Sequence, residues 1–139
     1  MGEVKVEVRL ENAVDRELAY RGQIGEDQVR KVTLPIVADT GAVMLCLPQE
    51  VAELLGLREK RTVIVRYADG RKEERPVAGL VTVYAANRSA DVECIVGAPN
   101  SEPLLGQIVL AATDLLVDSS ERALVPRPES PLLPLLNVR

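Results

Sequence analysis

Asp39 stands where an apolar run stops. Ile36-Val37-Ala38 leads into Asp39-Thr40-Gly41-Ala42, which sets a carboxylate on a sharply turned loop beside a buried wall. Gly41 permits close backbone approach, so amides or hydroxyls can reach the acid. Taken alone, the tripeptide equally makes an ordinary surface turn. Composition narrows the other chemistry. The chain has no His, Trp or Phe and only three Tyr, so a His-dependent triad and a His-ligated zinc site are out of reach. Base-stacking platforms lack their aromatic rings, which argues against single-stranded nucleic-acid binding. Carboxylates, hydroxyls, Lys and Cys remain. Cys46 and Cys94 form no CxxC pair and lie in apolar runs. They read as buried reduced thiols, with a disulfide or a nucleophile as the other readings.

Several short elements must position Asp39. Val4, Val6, Val8 and Leu10 alternate with Lys5, Glu7 and Arg9, the period of a half-buried strand. Glu11 to Tyr20 is ambiguous, and Arg21 to Asp27 reads as a turn or loop. Val29 to Val37 is β-branched and predicts the strand that ends at Asp39. Val43 to Leu47 follows as an apolar run. Pro48 to Gly56 predicts a helix, with Pro in the first turn, Val51, Leu54 and Leu55 on one face, and Gly56 as its stop. Arg61 to Tyr67 alternates again, and Asp69-Gly70 favours a tight hairpin turn into a strand that turns apolar from Val77 to Ala85. Asn87-Arg88-Ser89 reads as a turn and Asp91 to Val96 as a strand. Gln107 to Leu116 suits a short helix, and Val117 to Val125 a last hairpin. Asp114 and Asp118 read as a helix-end acid and a hairpin-turn acid with structural roles. The stretch after Pro126, with Leu132-Leu133 and Leu135-Leu136 among its prolines, is too apolar to be an idle linker and should pack on something.

The chain of 139 residues carries 17 Lys+Arg against 21 Asp+Glu, the profile of one soluble globular domain. Many short strands, closely spaced turns and one or two short helices predict an all-β barrel or sandwich. No apolar stretch approaches the ~18 residues of a membrane span, and no leader-like segment begins the sequence. The expectation is a cytoplasmic protein without membrane, nucleic-acid, metal or cofactor partners.

A second motif, Leu104-Leu105-Gly106, lies 65 positions after Asp39 and precedes the second helical segment. With it, the ordered set from Val29 to Pro126 resembles the retropepsin-like aspartic proteases, including bacterial single-domain relatives. The resemblance implies a closed all-β barrel over residues 1–126, a Pro/Leu-rich tail over 127–139, and Asp39 as the catalytic acid. Thr40, Gly41 and Ala42 would support its loop, and Leu104-Leu105-Gly106 would thread through it. Tyr67-Ala68-Asp69-Gly70 would form a flap over an extended polypeptide, although an ordinary exposed hairpin explains it equally.

The chemistry so implied needs two carboxylates about 3 Å apart sharing one proton across a water. At that distance like charges repel by roughly 5 kcal/mol at an effective dielectric of about 20, so they do not both ionise. With one Asp-Thr-Gly in the chain, the resemblance implies a homodimer in which Asp39 faces its copy. Val43 and Gln107 stand where many viral members carry an acid–arginine pair, and the return side of the hairpin (Lys72, Glu73, Glu74, Arg75) is charged where theirs is Gly-rich. The competing reading is a non-catalytic peptide-binding or assembly module on the same fold. A thiol enzyme fails for want of an activating His.

Overall fold

The computed structural model describes residues 3–139. Its elements are β1 (Val4–Asn12), α1 (Ala13–Tyr20), β2 (Lys31–Ala38), β3 (Leu45–Pro48), α2 (Gln49–Leu54) and β4 (Arg58–Arg66). They continue as β5 (Lys72–Ala85), β6 (Arg88–Gly97), β7 (Leu104–Leu105), α3 (Gln107–Thr113), β8 (Leu115–Asp118) and β9 (Ala123–Pro126).

Strand pairing decides the architecture. Neighbours run β1-β2-β7-β3-β6-β5-β4, and β5 also pairs with β1. Pairing therefore closes a circuit of six strands, which removes most exposed edges. β4 hangs from β5 as a free edge, and β8 and β9 form a hairpin of their own. Closure depends on β5, whose 14 residues pair with β6 on one edge and serve two neighbours in turn on the other. Lys72 to Gly79 lie beside β4, whereas Val81 to Tyr84 lie beside β1.

The period-two pattern of β1 has its expected result. Val4, Val8 and Leu10 are buried while Lys5, Glu7 and Arg9 face water. Leu10, Ile36, Leu45, Leu47, Leu55 and Leu105 are fully enclosed together with Val77, Val81 and Val83. Aliphatic volume thus replaces the missing aromatics, each such side chain contributing about 2 kcal/mol by leaving water. Among the described residues no helix is long and apolar enough to cross a membrane.

The local expectations need correction at several points. Among the described residues there are three α-helices instead of one or two, because α1 fills the ambiguous stretch after β1. Its start is set by Asn12, whose Oδ1 accepts the Asp15 amide at 3.0 Å while its Nδ2 donates to the Leu55 carbonyl at 2.9 Å. α1 shows little apolar periodicity, since it lies on the rim and its only buried residue is Asp15. Ala52 of α2 and Leu55 just after it are buried, but Leu54 is exposed. The turn before β6 occupies Ala86 and Asn87, both at positive φ. That two-residue geometry matches the twist of the flanking strands and carries Arg88 into β6. α3 stops at Thr113 because Asp114 adopts left-handed backbone (φ 56°), releasing Leu115 and Leu116 into β8.

Asp114 is a helix-end acid as expected, and it also organises the stretch after β9. Its carboxylate accepts from the Arg127 guanidinium at 2.5 Å, the Ser130 hydroxyl at 2.6 Å and the Leu135 amide at 2.8 Å. Buried Arg88 donates to the carbonyls of Thr113, Asp114 and Ser130. Residues 127–135 are therefore attached through polar groups, and their leucines do not supply the anchor: Leu132, Leu133 and Leu136 are exposed.

Candidate active site

β2 delivers Asp39 and β7 holds it. Val37 and Ala38 pair in parallel with Leu104 and Leu105, while Leu104 also pairs with Cys46 of β3. The Leu-Leu pair therefore runs between the two arms of the loop that bears Asp39. The Asp39 amide donates to the Leu105 carbonyl at 3.0 Å. Beyond the turn, the amides of Gln107 and Ile108 donate to the carbonyls of Ala42 and Val43 at 2.8 and 2.9 Å. Gln107 Nε2 also reaches the Thr40 carbonyl at 3.1 Å. Both ends of the loop are thus fastened to the segment from Leu105 to Ile108.

Gly106 makes this crossing possible. A Cβ there would lie 2.6 Å from the Met44 carbonyl oxygen and 2.7 Å from that of Ala42, inside any tolerable contact. Gly41 has a different task. Its amide donates to Asp39 Oδ1 at 2.8 Å, and the Ala42 amide donates to the Asp39 carbonyl at 3.2 Å. The carboxylate is therefore oriented by its own turn. Among the described residues no cation pairs with it, in contrast to Asp114 and Asp15, which hold Arg127 and Arg30. Asp39 is partly exposed and Thr40 is exposed, so the acid can meet a water, a substrate or another acid.

An open cleft of about 430 Å³ lies against Asp39, lined also by Val4, Val37, Thr40, Val117 and Ser119. Val4, Val117 and Ser119 are lining residues that the motifs did not reveal. They lie 35 positions before Asp39 and about 80 after it, so only the meeting of β1 with the β8–β9 hairpin brings them there. Arg122 of that hairpin fastens the two by donating to the Glu3 carbonyl at 2.8 Å.

Tyr67 to Gly70 form the tip of the β4–β5 hairpin and do not line this cleft. The Gly70 amide donates to the Tyr67 carbonyl at 2.9 Å, and Gly70 takes φ 87°, as its turn requires. The Tyr67 hydroxyl donates to Glu73 at 2.6 Å, and the Arg71 guanidinium lies 4.3 Å from the ring centroid. Tyr67 is half-buried and braces its own hairpin.

The cysteines are free. Burial, then the Asp39 charge, pushes the Cys46 thiol up to about 11. Burial first and Cys46 second push Cys94 to about 12. Both remain protonated at neutral pH and are poor nucleophiles. No group of three or more metal-ligating side chains is found among the described residues.

A family described as gag-polyprotein putative aspartyl protease matches residues 26–112, from just before β2 to within α3. The chain belongs to this family. The matched stretch contains Asp39-Thr40-Gly41, the crossing at Gly106 and the whole β4–β5 hairpin, so the aspartyl protease resemblance read from the two motifs holds. It leaves out β1, α1 and the β8–β9 hairpin. No curated protein matches the chain.

Proposed function

We propose that this aspartyl protease family member is an endopeptidase whose catalytic pair consists of Asp39 from each of two copies. One observation supports the reading above all others: Asp39 is oriented by its own turn, fastened at both ends of its loop, and paired with no cation among the described residues beside an open cleft. Asp114 and Asp15, by contrast, are each paired with an arginine. A second carboxylate brought within hydrogen-bonding reach would share one proton with the first. The ionised member takes a proton from water, the water attacks the peptide carbonyl, and the protonated member stabilises the developing oxyanion. Proton return to the amide nitrogen releases an amine and a carboxylic acid, with no covalent intermediate.

A peptide-binding module is the second reading. It is favoured by the outer edge of β4, which pairs with β5 alone and could take an added strand. The two readings part on one experiment. Wild-type protein should cleave an unstructured polypeptide at mildly acidic pH, and Asp39→Asn should lower the rate by at least about 100-fold. Equal cleavage by both forms would overturn the assignment of Asp39. Binding without cleavage by either form would favour the module.

A further inference from the structure

Resting on the Asp39 protease reading, we infer that the cleft beside Asp39 selects polypeptides that place a lysine or arginine side chain in it, with Glu3 and the β8–β9 hairpin as the parts that set this preference. Three segments distant in sequence build the cleft. They are Glu3 and Val4 at the start of β1, Val37 to Thr40 at the end of β2, and Val117 and Ser119 of the last hairpin. Its volume of about 430 Å³ is that of a ligand cleft. Arg122 joins the segment carrying Glu3 to the hairpin carrying Val117 and Ser119. Glu3, Val117 and Ser119 all lie outside the family-matched residues 26–112, so the preference rests on segments that the family match does not cover.

Shape and charge name the occupant together. Val4, Val37 and Val117 make an aliphatic wall, and a lysine or arginine lays its methylene stem on such a surface while its head stays polar. The head then needs an anion. Glu3 is exposed at the cleft, and among the described residues its carboxylate forms no ion pair. Asp118, next to Ser119, accepts from the Ser120 and Glu121 amides and the Ser120 hydroxyl and pairs with no cation among the described residues. The cations of the surrounding segments are occupied. Lys5 pairs with Glu102 at 3.9 Å, and Arg122 donates to the Glu3 carbonyl at 2.8 Å. No Lys or Arg lines the cleft. An acidic side chain entering it would meet Glu3 and Asp39 as like charges, whereas a basic one would complete a charge-assisted hydrogen bond.

The test maps by mass spectrometry the bonds that full-length protein cleaves in an unfolded polypeptide at mildly acidic pH. Within two residues of those bonds, lysine and arginine should be enriched at least about tenfold over aspartate and glutamate. Glu3→Lys should abolish the enrichment, whereas Glu53→Lys, the same charge change on α2 away from the cleft, should keep it. Both side chains are exposed, so folding should survive, as checked by thermal melting. No enrichment in wild type, or equal loss in both variants, would overturn the inference and leave the protease reading standing. A second readout needs no cleavage. In Asp39→Asn, fluorescence anisotropy should find an Ala-Lys repeat decapeptide bound at least about tenfold more tightly than an Ala-Glu repeat. Adding Glu3→Lys should remove that difference, and adding Glu53→Lys should not. This binding preference without any cleavage by wild type would overturn the protease reading alone. Equal binding of the two decapeptides would overturn the cleft assignment.

Discussion

At the scale of single residues, the smallest side chain in the site carries a strict steric condition. Asp39 sits on a loop that the backbone at Gly106 must pass at contact distance, with the Ala42 and Met44 carbonyls on the path of any Cβ. Gly106→Ala forces either the crossing segment or the Asp39 loop to move. A substitution that overfills a closed site costs about 1–3 kcal/mol, and here the displaced atoms are backbone, so the upper end applies. The variant should unfold at clearly lower denaturant concentration and lose cleavage activity as well. Unchanged stability would mean that the crossing is looser than these contacts imply. Gly41→Ala should be milder, since its Cβ would meet only the movable Asp39 Oδ1, at 3.2 Å.

At the scale of elements, α1 shows how one side chain can join two of them. Asn12 ends β1, caps α1 through the Asp15 amide, and reaches across to the Leu55 carbonyl behind α2. Asp15 adds the Arg30 guanidinium and amide, which ties α1 to the approach of β2. Asn12→Ala removes both a cap and a buried bond whose acceptor is then left unpaired. The expected loss is about 2 kcal/mol, read as a lower denaturation midpoint at constant slope. A change of slope would show instead that α1 detaches on its own. Activity measured well below the melting temperature should survive, because nothing in α1 lines the cleft at Asp39.

The whole molecule responds to acid through carboxylates whose partners favour the charged form. The Arg127 guanidinium first, then the Ser130 hydroxyl and the Leu135 amide, hold the Asp114 carboxyl well below the usual carboxylate range. Bonds from Arg16 lower Glu11 and bonds from Arg30 lower Asp15. A carboxyl depressed in the folded state stabilises fully above its unfolded value of about 3.9 and loses that effect as pH falls toward the folded value. Asp114→Asn should therefore melt below wild type at neutral pH, with the gap narrowing on acidification below about pH 4. A gap that stays constant with pH would show that the cluster acts through shape and not charge. Under the proposed paired-Asp39 mechanism, cleavage at mildly acidic pH would run close to where this support begins to fail.

What was legible in the chain beforehand is what depends on neighbours in sequence. The alternation of Val4 to Leu10, the strand ending at Asp39, the turn at Asp69-Gly70 and the two glycine-marked motifs are all local patterns, and the two motifs together identify the aspartyl protease family. Tertiary structure alone decided the rest. α1 lacks a clear apolar face because it lies on the rim, so its helix appears only once Asn12 finds Leu55. Val4, Val117 and Ser119 become neighbours of Asp39 because the strand circuit closes and the last hairpin folds onto β1. Asp114 looks like any helix-end acid until Arg127, Ser130 and Leu135 return to it. Local pattern reports which face of an element is apolar, whereas which faces meet depends on pairings between residues far apart along the chain, and no short stretch encodes those.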